Sequence, residues 1–117
     1  MILIADDNDD VRRMLRSIVE DIDPVIVECA NGREALEAYS EHEPDVVLMD
    51  IEMEPVDGLT AMVLILERYP DASIIIVTEH QDRRMKETSL KKGAAGFVGK
   101  DDLTSVNAIV RDILDRT

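Results

Sequence analysis

The sequence predicts an α/β fold: one parallel sheet wound on both faces by helices. Two observations carry this. Short, continuous, mostly β-branched runs recur along the chain, as in strands covered on both faces. Between them, apolar residues return every three or four positions, as on amphipathic helices, so strand and helix alternate five times. With 117 residues, 45% of them hydrophobic, the chain suits one domain, expected to span 1–117.

The first strand is read at residues 1–5 (MILIA). Val11, Leu15, Ile18, Val19 and Ile22 then form a helical stripe that Pro24 closes. Residues 25–27 give the second strand. Asn31 is a candidate N-cap for a helix carrying Ala35, Leu36 and Tyr39, which Pro44 ends. Residues 46–49 (VVLM) form the third strand, and Leu59, Met62, Val63, Leu66 and Tyr69 a third stripe stopped by Pro70. Residues 74–77 (IIIV) are the fourth strand. The fourth helix, near residues 81–92, is mostly polar apart from Met85 and Leu90, and Gly93 caps it. Phe97 and Val98 mark a weaker fifth strand. Leu103, Val106, Ile109, Val110, Ile113 and Leu114 face inward from the last helix.

Charge narrows the partners. Twenty-six acidic residues against thirteen basic ones give a net charge of −13. Such a surface repels phosphate backbones and anionic lipid, so neither nucleic acid nor membrane is an expected direct partner. No apolar run approaches the roughly 20 residues that span a bilayer, and no signal peptide is visible; the expectation is a cytoplasmic protein. The single cysteine, Cys29, excludes an internal disulfide and a Cys-rich zinc site. Arg83, Arg84, Lys86, Lys91 and Lys92 crowd into ten positions, either a solvated helix face or a docking surface for an acidic partner.

In doubly wound sheets ligands bind beyond the carboxyl ends of the strands. Asp6 and Asp7 follow the first strand, Asp50 the third, Thr78 the fourth and Lys100 the fifth. Singly, each has an ordinary explanation: Asp6 or Asp7, like Asn8 or Asp9, could cap the first helix, and Lys100 could be solvated. Together they bring three carboxylates, a hydroxyl and an ammonium to one sheet edge. Two unit charges 4 Å apart repel by about 4 kcal/mol at an effective dielectric of 20. The carboxylates must therefore protonate, pair or hold a cation. Oxygen ligands without nearby Cys, and only His42 and His80 in the chain, favour Mg²⁺ over Zn²⁺. Mg²⁺ commonly shares its shell with a phosphate, and a carboxylate can be the nucleophile that accepts a phosphoryl group.

These residues, with the stretches Asp50-Ile51-Glu52-Met53 leading to Asp57-Gly58 and Gly93-Ala94-Ala95-Gly96-Phe97-Val98-Gly99-Lys100-Asp101, resemble the receiver domain of bacterial two-component response regulators over essentially the whole chain. The resemblance implies a flavodoxin-like sheet of strand order 2-1-3-4-5. It implies Asp50 as phosphoacceptor, and Mg²⁺ held by Asp6, Asp7, Asp50 and the backbone carbonyl of Glu52. It further implies Thr78 and Lys100 on the phosphoryl oxygens, and Thr78 with Phe97 as the switch. The implied partners are a histidine kinase or phosphotransfer protein and a downstream protein or fused output domain. On this reading the chain is no enzyme beyond its own phosphorylation and dephosphorylation.

Three departures from the family pattern stand out. Glu54 separates Met53 from Pro55, where proline usually follows directly. Asp101 stands where proline often follows the lysine, a feature shared with receivers linked to helix-turn-helix output, as is the Gly-Ala-Ala-Gly run. Glu79 follows Thr78 where a small residue is usual; turned inward it would repel an incoming phosphoryl group, and turned to solvent it would be inert. Two other readings remain open: a receiver-like module that signals without phosphate, for which Glu79 is the support, and a Mg²⁺-dependent phosphohydrolase using Glu52 as acid–base group.

Overall fold

In the computed structural model, which describes residues 1–116, the chain alternates strictly between strand and helix. Thr117, the last residue of the expected single domain, lies outside the described residues. The strands are β1 (Ile2–Ala5), β2 (Ile26–Cys29), β3 (Val46–Met49), β4 (Ile74–Thr78) and β5 (Gly96–Gly99). The helices are α1 (Asp9–Val19), α2 (Gly32–His42), α3 (Gly58–Arg68), α4 (Arg83–Lys91) and α5 (Ser105–Asp115), with a short 3-10 helix over Lys100–Asp102. All strand pairs are parallel and the order is β2-β1-β3-β4-β5, the expected doubly wound flavodoxin-like sheet.

The two-residue period of the strands divides the core into two layers. Leu3, Ala5, Val47, Met49, Ile74 and Ile76 face α2 and α3, meeting Ala35, Tyr39, Ala61, Met62 and Ile65, with Met85 of α4 and Phe97 of β5 packed against them. Ile2, Ile4, Val46, Leu48, Ile75 and Val77 face α1 and α5, where Leu15, Val19, Val106, Val110 and Ile113 close the other layer. Every residue of β1, β3 and β4 is buried, which is why these runs lack polar alternation.

The edges depart from the sequence reading for physical reasons. β2 runs Ile26–Cys29 rather than 25–27; it is an edge strand, only partly covered, and Val25 is exposed. Its polar Glu28 ties down α1 through Arg12 (3.3 Å) and Arg16 (2.7 Å). α1 stops at Val19, because Ile22 turns back to bond its N–H to the Val19 carbonyl before Pro24 is reached. Asn8, not an aspartate, caps that helix, accepting from the N–H groups of Asp10 and Val11. Asn31 caps α2 as expected, bonding Glu34 N–H. Gly93, at φ 115°, takes the left-handed turn after α4 that a side chain would resist. α4 is the helix with the weakest apolar grip: Ser89 is its sole fully buried residue, and the Ser89 hydroxyl has no hydrogen-bond partner. No helix among the described residues is long and apolar enough to cross a membrane.

Candidate functional site

The carboxyl ends of β1, β3, β4 and β5 meet at one edge of the sheet, and each delivers a polar residue there. After Ala5 the chain leaves the sheet as Asp6-Asp7. Asp6 is fixed twice: its Oδ1 accepts from the Asn8 N–H (2.8 Å), and its carbonyl accepts from Arg12 Nη1 (2.6 Å). Asp50 sits one rung beyond the β1–β3 ladder, with its N–H donating to the Ala5 carbonyl at 2.9 Å, so it stands beside Asp6. The loop leaving Asp50 is folded tightly back. Gly58 N–H donates to the Ile51 carbonyl at 2.8 Å, and a Cβ at Gly58 would lie 1.7 Å from the Asp50 carbonyl oxygen. Only glycine permits that approach.

Asp6, Asp7 and Asp50 each place a carboxylate oxygen within 4.8 Å of the others. Asp6 is 1% exposed and Asp50 4% exposed, whereas Asp7 is open to solvent. Lys100, at the end of β5, sends its Nζ to 3.0 Å from Asp6 Oδ2 and 3.4 Å from Asp50 Oδ2. Burial pushes the Asp50 carboxyl up to about 6, the Asp6 charge adds to this, and Lys100 only partly offsets both. Burial works against the Lys100 charge, but its contacts with Asp6 and Asp50 outweigh it and raise its pKa.

Thr78 is fully buried at the end of β4, its Oγ1 accepting from the His80 N–H at 3.1 Å. A cavity of about 130 Å³ is lined by Asp7, Asn8, Asp50, Glu52, Thr78, Glu79, His80 and Lys100. The structure therefore brings Asp6, Asp7, Asp50, Thr78 and Lys100 together. Glu79 is exposed and is among the residues that line this cavity. Phe97 is half-buried in β5, in register with Ile76, and packs with the α2–α3 layer rather than lining the pocket.

One pair escaped the sequence reading. His80 Nε2 meets Glu52 Oε1, joining the loop after β4 to the loop after β3 beside the pocket. That hydrogen bond, with the Glu52 charge, raises the His80 pKa. The two residues lie 28 positions apart on irregular segments, so no periodicity signals their contact.

The donor set suits a hard divalent cation. Asp6, Asp7 and Asp50 offer carboxylate oxygens, and the buried Asp6 Oδ2 has an ammonium at ion-pair distance but no donor in hydrogen-bonding alignment. The cavity's volume is a few waters' worth, enough for a phosphoryl-sized group.

Comparison with known proteins agrees with this fold. The family model for the response regulator receiver domain matches residues 2–111. The chemotaxis protein CheY of Listeria monocytogenes is 39% identical over 100 residues, covering 85% of this chain and 84% of that protein. The transcriptional regulatory protein LnrK of Bacillus subtilis is 37% identical over 116 residues, but this chain spans only 51% of its length. Among solved structures, a chain from the CheX–CheY–BeF3–Mg²⁺ complex of Borrelia burgdorferi superposes with a TM-score of 0.89 at 30% identity, covering 97% of this chain and 87% of that one. With its sheet order, its acidic strand ends and these relatives, the chain belongs to the response regulator receiver family of two-component signal transduction.

Proposed function

We propose that Asp50 accepts a phosphoryl group in a Mg²⁺-dependent reaction from a histidine kinase or phosphotransfer protein, and that the modification switches a protein-binding surface. The observation that carries this is the position of Asp50: buried, with a raised pKa, between the Asp6–Asp7 carboxylates and the Lys100 ammonium, at the floor of a phosphoryl-sized cavity. With pKa near 6, its carboxylate is ionised at neutral pH and remains nucleophilic. A carboxylate oxygen of Asp50 attacks phosphorus, the bond from phosphorus to the donor's imidazole nitrogen breaks, and the imidazole leaves with the electron pair.

Asp6, Asp7, Asp50 and the Glu52 carbonyl would hold Mg²⁺. When bound, Mg²⁺ neutralises negative charge and aligns phosphoryl oxygens. Lys100, already poised between Asp6 and Asp50, supplies the second positive charge, and the Thr78 hydroxyl is the neutral donor at the cavity. The new oxygens on Asp50 compete for Thr78 and Lys100, drawing them from their present contacts and changing the support of β4 and β5. Phe97, half-buried on β5 in register with Ile76 of β4, is the side chain expected to respond, and its packing beside β4 supports that reading. The altered surface would act on a downstream protein or a fused output domain; a cytoplasmic setting and a single receiver unit belong to the same reading.

Glu52, the acid–base group a phosphohydrolase would use, is engaged by His80, which favours a phosphoacceptor. The test is addition of beryllofluoride and Mg²⁺ to isotope-labelled protein. Resonances of Asp50, Thr78, Phe97 and α4 should shift together. Shifts confined to Asp50 would contradict the proposed switch.

A further inference from the structure

The basic residues of this chain are segregated. From Arg83 to Lys92 stand five basic residues and one acidic residue, Glu87, while the rest of the chain carries eight basic and twenty-five acidic. The local balance is +4 in a molecule that elsewhere totals −17. Arg83 is turned to Glu87 at 3.1 Å. Arg84, Lys86, Lys91 and Lys92 are exposed, and none has a carboxylate partner within 4.0 Å among the described residues.

Beside this patch, α3 presents apolar side chains outward. Leu59 and Val63 are half-exposed and Leu64 is 43% exposed. With Asp57, Thr60 and Lys92 they line a groove of about 390 Å³ between α3 and the end of α4. The two elements are pressed together there, since a Cβ at Gly93 would meet Leu66 Cδ1 at 2.7 Å. The groove's one acid, Asp57, is already satisfied, accepting from the Thr60 N–H (2.8 Å) and the Thr60 hydroxyl (2.9 Å). The groove shares no lining residue with the cavity at Asp50.

We infer that the α3–α4 groove is a docking site for an acidic amphipathic helix of a partner protein. Its apolar side chains seat on Leu59, Val63 and Leu64, and its carboxylates meet Lys91 and Lys92. An apolar helix face laid in a groove supplies the affinity. The charges supply orientation: an acidic segment is repelled by most of this surface and attracted at this one place. The groove is formed without any modification of Asp50, so the inference stands apart from phosphoryl acceptance and is tested on the unmodified protein.

The probe is a synthetic amphipathic helix of about 18 residues, with leucines at i, i+4 and i+7 and glutamates on both flanks. Its counterpart carries lysine at each glutamate position. Titrated into the isotope-labelled full chain, the glutamate peptide should shift resonances of Leu59–Leu64 and Lys91–Lys92, and the lysine peptide should not. Leu64→Gln, and separately Lys91→Glu with Lys92→Glu, should weaken binding about tenfold or more while leaving the thermal melt unchanged. Equal binding of the two peptides, shifts centred on α1, α5 or β5, or unchanged affinity in these variants would overturn the assignment. So would groove shifts that follow protein concentration without peptide, which would make a second copy the occupant.

Discussion

Lys100 reaches Asp50 across the strand ends, Nζ to Oδ2 at 3.4 Å, yet makes its shorter contact, 3.0 Å, with Asp6. One ammonium is thus divided between two buried carboxylates, and Asp50 is the less well compensated of the two. Its pKa is accordingly raised, first by burial and then by the Asp6 charge. The site stores repulsion that a cation or a change of protonation relieves.

The first prediction is a pH-dependent gain from neutralising Asp50. Its folded pKa, about 6, stands above the ordinary value of 3.8, so ionising it destabilises the fold. That penalty is complete above pH 6 and is relieved as pH falls through 6 toward the unfolded value. Asp50→Asn should therefore stabilise the metal-free protein at pH 8 by about 1 kcal/mol, the bare shift being discounted for the open mouth of the pocket. Urea melts at pH 8 and pH 5 measure it; a gain equal at both values, or a loss, would show the carboxylate is not strained.

Mg²⁺ should raise the melting temperature of the native protein by mass action and give no such rise in Asp7→Ala. Asp7 is the exposed member of the cluster, so its removal should leave the metal-free melt nearly unchanged. A full Mg²⁺ response in that variant would take Asp7 out of the binding set.

Glu79 lines the pocket through which an anionic phosphodonor must approach. For a carboxylate roughly 6–8 Å from the donor at an effective dielectric of 20 the bare repulsion is about 2–3 kcal/mol, which solvent and salt reduce to about 1 kcal/mol, or roughly fivefold in rate. Glu79→Ala should speed phosphorylation by acetyl phosphate several-fold, more at low ionic strength than at high. Equal pseudo-first-order rates for the native protein and Glu79→Ala at both salt concentrations would mean the carboxylate exerts no field on the donor.

A Cβ at Gly58 would fall 1.7 Å from the Asp50 carbonyl oxygen, whereas one at Gly96 would meet Ile109 Cγ2 at an ordinary 3.4 Å. Gly58→Ala should cost about 3 kcal/mol and Gly96→Ala less than about 1 kcal/mol. Two denaturant melts decide it. Comparable stability for both would mean that the loop after Asp50 yields easily and does not fix the carboxylate.

The buried strands were readable because burial on both faces leaves an unbroken apolar run, as in residues 46–49 and 74–77. The edges were harder. β2 carries Glu28, whose place on the edge is defined by Arg12 and Arg16 on a different element. The end of α1 at Val19 depends on a turn that reuses the Val19 carbonyl, which competes with the apolar period continuing to Ile22. At the site, the strand-end positions of Asp6, Asp7, Asp50, Thr78 and Lys100 followed from counting residues after each apolar run. The division of Lys100 between two carboxylates, and the His80–Glu52 pair, arise between segments distant in sequence and leave no periodic mark along the chain.

Acceptance of a phosphoryl group by Asp50 is read out by intact-protein mass spectrometry after incubation with a small phosphodonor. With acetyl phosphate and Mg²⁺ one phosphoryl group should be added, labile to hydroxylamine, absent in Asp50→Asn and absent when the metal is chelated. A mass gain that persists in Asp50→Asn, or no gain in native protein saturated with Mg²⁺, would contradict it.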